Sequence, residues 1–279
     1  MKKNIIIISG PTGVGKTDFV DELVKKQPSE IINLDVGQFY EPISIGTAKP
    51  DWANHPVRHH LFDIIKNPVN ITVVEYRKLV LLKVEEIWQK QKLPILVGGS
   101  GFYLLSLFFP PLETKKISDL ISGSWEDLNS LDPKRAAAID PADSYRIDRA
   151  LTLLKGGQKP SDKKPVYQSI GEAKIKIINR DRKDLYDRIN QRTDSMIEDG
   201  WIKEVESLSE EWKGFLKKKK LIGYDLIIDY LDKKIDFQKL KTEIKKQTRR
   251  YAKRQLTFFR MIERKLQETD VEFEWFNLT

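Results

Sequence analysis

The stretch that decides the fold is Asn4-Ile5-Ile6-Ile7-Ile8-Ser9-Gly10-Pro11-Thr12-Gly13-Val14-Gly15-Lys16-Thr17. Its run of isoleucines is typical of a strand buried on both faces, where apolar and polar side chains need not alternate. The glycines that follow predict a tight turn, and a helix is expected from Lys16 to about residue 26. A strand, a Gly-x-x-x-x-Gly-Lys-Thr loop and a helix in this order predict a P-loop that binds a phosphate chain.

This loop supplies the first candidate site residues. Those predicted to bind phosphate are Gly10, Thr12, Gly13, Gly15, Lys16 and Thr17. The Lys16 ammonium would attract the phosphate oxygens, and the Thr17 hydroxyl is the expected Mg²⁺ ligand. The motif indicates a di- or triphosphate, and with it nucleotide binding such as ATP binding, but it does not identify the compound.

Further apolar segments at residues 30–35, 93–97 and 174–179 predict strands with helical segments between them. Alternating strands and helices predict an α/β fold, a P-loop NTPase-like parallel sheet flanked by helices. Residues 111–167 break the pattern, because they contain several turn-forming pairs and no convincing strand. We therefore expect a core of residues 1–110 and 168–279 and a small helical insertion domain at residues 111–167.

Two polar residues are expected at the carboxyl edge of this sheet, where such folds bind ligands. Asp35 is predicted to end the second strand, and its carboxylate could ligate Mg²⁺, accept a proton from a nucleophile, or cap the next turn. Ser100 follows the third strand and could reach the same crevice or cap the next helix. That strand ends in Gly-Gly-Ser rather than in an acidic residue, which disfavours an ATP-hydrolysing motor.

The positive charge of the chain is concentrated near its C-terminus. The formal net charge is +8, and residues 239–265 alone contain eleven Lys and Arg against two acidic residues. Two adjacent i,i+4 rows of this predicted helix are basic: Lys245, Arg249 and Lys253, and Lys246, Arg250 and Arg254. Each like-charge pair costs roughly 0.2–0.5 kcal/mol in an isolated helix, so the rows favour binding of a nucleic acid over a plain solvated face.

Several classes of protein and site are disfavoured by the composition. The chain has no cysteine, which removes zinc-finger, iron–sulfur and thiol-nucleophile chemistry. No apolar run approaches the roughly 20 residues of a membrane span, and we expect a cytoplasmic protein. The histidines, His55, His59 and His60, are expected in a structural or RNA-contacting loop rather than in a metal site.

Taken together, the motifs resemble the tRNA dimethylallyltransferase (tRNA isopentenyltransferase) family over nearly the whole chain. The most distinctive stretches run from Asp35 to Tyr40 and from Ile45 to Pro50, and others contain His59-His60-Leu61-Phe62-Asp63 and Gly98-Gly99-Ser100-Gly101. Towards the C-terminus follow Arg146-Ile147-Asp148-Arg149, Arg188-Ile189-Asn190-Gln191-Arg192, Ile222-Gly223-Tyr224 and Lys253-Arg254-Gln255-Leu256-Thr257. The P-loop alone is generic, whereas the ordered set is specific.

The resemblance implies transfer of a dimethylallyl group from dimethylallyl diphosphate to N6 of the adenine beside the tRNA anticodon, position 37, with Mg²⁺. It implies Asp35 as the general base, Ser100 as a contact to the leaving oxygen, and Arg188 or Arg192 as the residue that closes on the pyrophosphate. The implied tRNA contacts lie in three groups: Asp35, Val36, Gly37 and Gln38; Tyr145, Arg146 and Arg149 of the insertion; and Lys245, Arg249, Arg250 and Lys253 of the basic helix. A monomer that binds the anticodon stem-loop and no membrane is expected.

Three residues depart from the family pattern. Val36 stands where the family usually has Ser, Ser100 where it has Thr, and Asp225 where it normally has Arg; the insertion is also shorter than usual. Three alternatives stay open on the residues alone: a P-loop small-molecule kinase, a prenyltransferase acting on free adenine nucleotides, and a non-enzymatic RNA-binding protein. The basic helix argues against the free-nucleotide reading, because a mononucleotide needs no such surface.

Overall fold

The central element of the fold is a sheet of parallel strands. The computed structural model describes residues 3–111, 121–162 and 164–278. Within them the strands are β1 (Asn4–Ser9), β2 (Ser29–Asn33), β3 (His59–His60), β4 (Leu93–Gly98), β5 (Glu172–Asn179) and β6 (Glu272–Asn277). These six strands lie in the sheet in the order β3-β2-β4-β1-β5-β6. With β1 between β4 and β5, the P-loop leaves the middle of the sheet.

Helices flank the sheet, and their apolar faces form the core with it. Within the described residues the helices are α1 (Lys16–Val24), α2 (Val73–Gln89), α3 (Gly101–Phe108), α4 (Trp125–Leu131), α5 (Pro133–Ala136), α6 (Ser144–Lys155), α7 (Arg182–Glu198), α8 (Trp201–Glu206), α9 (Glu210–Lys219), α10 (Tyr224–Leu231) and α11 (Phe237–Leu266). Apolar residues of β1, β2, β4 and β5 pack with α1, α7 and α11 around Ile8, Ile95 and Ile189. The predicted α/β class and parallel sheet are confirmed.

The chain divides into two compact units, one of Met1–Phe108 with Ser169–Thr279 and one of Phe109–Gln168. The second unit has its own core, in which Leu128, Ala136 and Ile147 are buried. Its described residues form the helices α4, α5 and α6 and no strand. Residues 112–120 and 163 of the predicted insertion lie outside the described residues.

Several predicted boundaries are corrected by the structure. The second strand ends at Asn33, and Asp35 instead caps a 3₁₀ helix at Val36–Phe39. The reason is local: the Asn33 side chain accepts a hydrogen bond from the Asp35 N–H, 2.8 Å, and donates to the Leu61 carbonyl, so the chain turns away from the sheet. The short strand β3, the strand β6 and the helices α8 to α10 were not predicted.

The Thr72–Glu75 capping box at the start of α2 is present, with both reciprocal hydrogen bonds formed. None of the described helices is both long enough and apolar enough to cross a membrane.

Candidate active site

Two adjoining cavities lie at the carboxyl edge of the sheet. The larger has a volume of 540 Å³ and is lined by the P-loop, Asp35, Arg188 and Arg192; we call it the phosphate cleft. The smaller, of 250 Å³, is lined by Val36, Trp201, Tyr251 and other residues; we call it the apolar pocket. Five residues line both: Thr12, Asp35, Thr47, Ala48 and Arg192. The arrangement places one carboxylate in contact with both spaces.

The P-loop has the backbone that phosphate binding requires. Gly13 and Gly15 have φ of 79° and 99°, which L side chains rarely adopt, and a Cβ at Gly10 would meet the Ile178 carbonyl oxygen at 2.4 Å. Gly15 then precedes α1, whose first N–H groups have no partner within the helix. Such groups, together with the positive end of the helix dipole, form an anion site.

Lys16 is half-buried at the mouth of this loop. Its Nζ donates to the carbonyl oxygens of Gly10 and Pro11, each at 3.0 Å. Burial lowers the pKa of Lys16 to about 8; the Asp35 charge opposes this effect, and Arg192 adds to it. A bound phosphate would stabilise the ammonium, because an opposite charge favours the charged form.

Asp35 is held in place by backbone contacts. Its Oδ1 accepts a hydrogen bond from the Gly37 N–H at 3.2 Å. Burial raises the pKa of Asp35, while the charge of Lys16, the N–H groups of Gly37 and Gly99, and Arg192 act in the opposite direction. A buried carboxylate with a raised pKa is a stronger base than an exposed one, and it lies where a nucleophile in the apolar pocket could reach it.

Two arginines of α7 contact the P-loop. Arg188 Nε donates to the Gly13 carbonyl at 3.1 Å, and Arg192 Nη1 lies 3.4 Å from the Thr12 hydroxyl oxygen. The Arg192 guanidinium is largely buried, and burial lowers its pKa. Both side chains therefore add positive charge to the wall of the phosphate cleft opposite α1.

Ser100 has a backbone partner. Its Oγ accepts a hydrogen bond from the Val36 N–H at 3.1 Å, which links the β4–α3 turn to the residue after Asp35. Ser100 lines neither the phosphate cleft nor the apolar pocket. The hydroxyl thus has an observed role in positioning the Asp35 segment, and its expected contact to a leaving oxygen stays a prediction.

Glu204 holds a loop beside both cavities and was not predicted from the sequence. Its carboxylate accepts hydrogen bonds from the N–H groups of Ser44, 2.7 Å, and Ile45, 2.6 Å, and from the Tyr224 hydroxyl, 2.9 Å. The loop it holds continues into Thr47 and Ala48, which line both cavities. No local signal distinguishes this glutamate in the sequence, because the loop that it holds lies about 160 positions earlier in the chain.

Gln38 acts on the same loop. Its Nε2 donates to the carbonyls of Thr47 and Ala48, each at 3.2 Å. The amide that the family resemblance assigns to tRNA therefore has partners within the protein, and the side chain also lines the phosphate cleft.

The basic helix α11 is only partly free for an outside partner. Lys245 pairs with Asp194 of α7 at 2.6 Å, and Arg249 donates to Asn190 of α7 at 2.6 Å. Both residues were expected to contact tRNA phosphates, and the packing of α11 on α7 gives them partners inside the protein. Of the six residues in the two basic rows of this helix, three are exposed: Arg250, Lys253 and Arg254. Arg254 also lines the apolar pocket, so this pocket adjoins the exposed basic surface.

The remaining predicted tRNA contacts lie on α6 of the second unit. Tyr145 is 52% exposed, and Arg146 pairs with Asp143 at 3.3 Å. Arg149 is on the same helix.

The histidines have structural partners. His60, in β3, is buried and contacts Glu30 at 2.7 Å, and Glu30 also accepts from Lys90 and Lys92. His59 contacts the Val57 carbonyl at 2.8 Å and lines the phosphate cleft. Among the described residues, no group of three or more His, Cys, Asp or Glu side chains is arranged to hold a metal ion.

The chain matches a known family model and is similar to known proteins over nearly its whole length. The family model described as IPP transferase matches residues 38–262. A tRNA dimethylallyltransferase of Fervidobacterium nodosum is 40% identical over 275 residues, covering 94% of this chain and 89% of the relative. One of Thermotoga maritima is 35% identical over 290 residues, covering 99% and 92%.

Solved structures give the same result. The tRNA delta(2)-isopentenylpyrophosphate transferase of Staphylococcus epidermidis matches with a TM-score of 0.68 and 30% identity, over 98% of this chain and 92% of that one. A eukaryotic dimethylallyltransferase described as acting on tRNA matches with a TM-score of 0.85 and 25% identity, over 98% and 73%. Neither a kinase nor an enzyme of free nucleotides is favoured by these relatives.

Proposed function

The chain belongs to the IPP transferase family of tRNA-prenylating transferases, and we propose that its donor is dimethylallyl diphosphate and its acceptor is N6 of adenine 37. The observation that carries this proposal is the position of Asp35 in the walls of both cavities. A diphosphate on one side and a purine on the other would present their reacting atoms to the same carboxylate.

The phosphate cleft suits the diphosphate of the donor. The P-loop N–H groups, Lys16, Arg188 and Arg192 would bind its oxygens. When the allylic carbon–oxygen bond breaks, negative charge accumulates on the departing pyrophosphate. Fixed positive groups at that position lower the barrier, because they are stronger partners of the transition state than of the substrate.

The apolar pocket suits an everted adenine. Tyr251 offers an aromatic surface, and Trp201, which is 2% exposed, lies behind the pocket wall. Thr248, Tyr251 and Arg254 are the α11 residues that line this pocket. A base within an anticodon loop must leave its stack to reach such a pocket, and stacking against aromatic rings offsets part of that cost.

Asp35 would act as the general base. The bond between N6 and the allylic carbon forms as the bond between that carbon and the diphosphate oxygen breaks. One N6 proton then passes to the Asp35 carboxylate, and pyrophosphate leaves with the bonding electrons. Proton transfer to a positioned base of this kind contributes about 10²–10⁴-fold in rate.

The donor set of the cleft fits Mg²⁺. This ion prefers oxygen ligands and is usually held by one or two protein oxygens together with substrate phosphates and water. The Thr17 hydroxyl lines the phosphate cleft beside the P-loop N–H groups and would hold the ion. When bound, Mg²⁺ would neutralise charge on the diphosphate oxygens.

The exposed part of α11 would bind tRNA phosphates. Arg250, Lys253 and Arg254 are the exposed basic residues nearest the apolar pocket along the helix, and Tyr145, Arg146 and Arg149 of the second unit would add contacts. We propose that the protein acts as a monomer in the cytoplasm, where the tRNA substrate is found.

The direct test is incubation of the protein with Mg²⁺, radiolabelled dimethylallyl diphosphate and unmodified tRNA carrying A37. We expect the label in the RNA, at an N6-prenylated adenosine on nucleoside mass spectrometry. A tRNA with G37 is the matched control and should stay unlabelled. Absence of label in every A37 tRNA, or label in free AMP at a comparable rate, would refute the proposal.

A further inference from the structure

Gln255 is a buried polar side chain of α11 that the proposed chemistry does not use. It is 6% exposed, and both ends of its amide have backbone partners. Oε1 accepts a hydrogen bond from the Thr12 N–H at 3.0 Å, and Nε2 donates to the Gly99 carbonyl at 2.8 Å. One side chain from the C-terminal helix thus joins the P-loop to the turn after β4.

Each of these partners lies beside a group of the proposed site. Thr12 lines both cavities, and its hydroxyl is the partner of Arg192. The N–H of Gly99 stabilises the Asp35 carboxylate. The contact at Gly99 is close, because an added Cβ would lie 2.5 Å from the Gln255 amide nitrogen. The Gln255 amide therefore fixes the backbone next to the diphosphate site and next to the proposed base.

Gln255 also lies on the segment of α11 that adjoins the apolar pocket. Tyr251, one helical turn earlier on the same face, and Arg254 both line this pocket. A nucleic acid that contacts Tyr251 or Arg254 would act on the rigid helix that holds the Gln255 amide. No loop intervenes, because α11 is continuous from Phe237 to Leu266.

From this geometry we infer that Gln255 is a positioning residue that couples RNA binding on α11 to diphosphate binding on the P-loop. The inference rests on the proposed function, since it takes tRNA as the ligand of α11 and a diphosphate as the ligand of the P-loop. Coupling of this kind is reciprocal: RNA tightens diphosphate binding by the same factor by which diphosphate tightens RNA binding.

The test measures that factor directly. Isothermal titration calorimetry gives the Kd of Mg²⁺-pyrophosphate with and without a saturating, unmodified anticodon stem-loop RNA. For the wild type we expect the RNA to tighten pyrophosphate binding about fivefold or more, at the low end of known couplings. In Gln255→Met, which keeps the volume but cannot bond to either partner, the factor should fall to about one.

Matched controls separate coupling from loss of structure. Gln238→Met changes an exposed glutamine of the same helix and should keep the wild-type factor. RNA affinity of Gln255→Met without pyrophosphate should stay close to wild type, because Arg250, Lys253 and Arg254 are unchanged. In turnover at saturating tRNA, the KM for the donor should rise by about the lost coupling factor, whereas a general loss of folded protein would lower the apparent kcat and leave KM unchanged.

If Gln255→Met does not fold, Gln255→Glu replaces it, because a carboxylate still accepts from the Thr12 N–H but cannot donate to the Gly99 carbonyl. A lower coupling factor in this variant supports the inference. An unchanged factor in the folded variant, or no coupling in the wild type, overturns it. Prenylation by the wild-type protein is assayed separately, so the proposed function stands or falls on its own result.

Discussion

Replacing Asp35 by Asn is the sharpest perturbation of the proposed reaction. The amide oxygen of Asn can still accept the hydrogen bond that Asp35 Oδ1 accepts from Gly37, 3.2 Å, so the 3₁₀ turn should survive. What is lost is the negative charge and the ability to take a proton from N6. The substitution therefore removes the proposed base and keeps the backbone hydrogen bond of this turn.

The expected magnitude follows from the surroundings of Asp35. Loss of a positioned general base lowers kcat by about 10²–10⁴-fold, equivalent to roughly 2.7–5.5 kcal/mol of barrier. Diphosphate binding should change in the other direction. Lys16 and Arg192 lose an opposing carboxylate in the same cleft, so at pH 7 the KM for the donor should stay equal or decrease.

The assay is transfer of labelled dimethylallyl groups to A37 tRNA under single-turnover conditions, with tRNA affinity measured in parallel by filter binding. Burial raises the pKa of Asp35 above its ordinary value, and a base must be ionised to act. The wild-type rate should therefore decline as pH falls through that raised pKa, and Asp35→Asn should lack this decline. A variant rate within tenfold of wild type, or an unaltered acid limb, would refute the role of Asp35.

Two further predictions concern the positive charges. The pKa of Lys16 is lowered to about 8, and its ammonium loses a proton as pH rises through that value. The kcat/KM for the donor should therefore be about tenfold lower at pH 9 than at pH 7. The kcat should change less, because bound diphosphate stabilises the ammonium. A flat profile up to pH 10 would contradict this. Changing Arg250, Lys253 and Arg254 together to Ala should weaken tRNA binding and reduce its log–log salt slope by about three, roughly one per phosphate contact, whereas Lys245→Ala should change the slope by less than one. If both variants reduced the salt slope equally, Lys245 would contact the RNA in spite of its ion pair with Asp194.

The P-loop edge of the sheet could be predicted from the sequence, because its signals are local. The isoleucine run and the P-loop glycines each depend on neighbouring residues. The helix after the P-loop was predicted from Lys16 to about residue 26 and is observed at Lys16–Val24. In each case a short pattern and the resulting backbone belong to the same segment.

The features that were missed depend on distant residues. Strand β3 has only His59 and His60 and exists because Ile31 and Ile32 pair with it. Glu204 holds a loop far away in the sequence, and Lys245 faces Asp194 of another helix rather than solvent. Helix periodicity predicts the basic rows of α11, but it does not predict that Asp194 of α7 pairs with Lys245 in one of these rows.

The shared wall of the two cavities has a consequence for inhibitor chemistry. Thr12, Asp35, Thr47, Ala48 and Arg192 border both spaces, so the two cavities adjoin along these residues. A single compound that joins a pyrophosphate mimic to an adenine through a five-carbon linker could therefore occupy both at once. Such a bisubstrate ligand would gain the effective concentration of a tethered pair and would exclude donor and acceptor together.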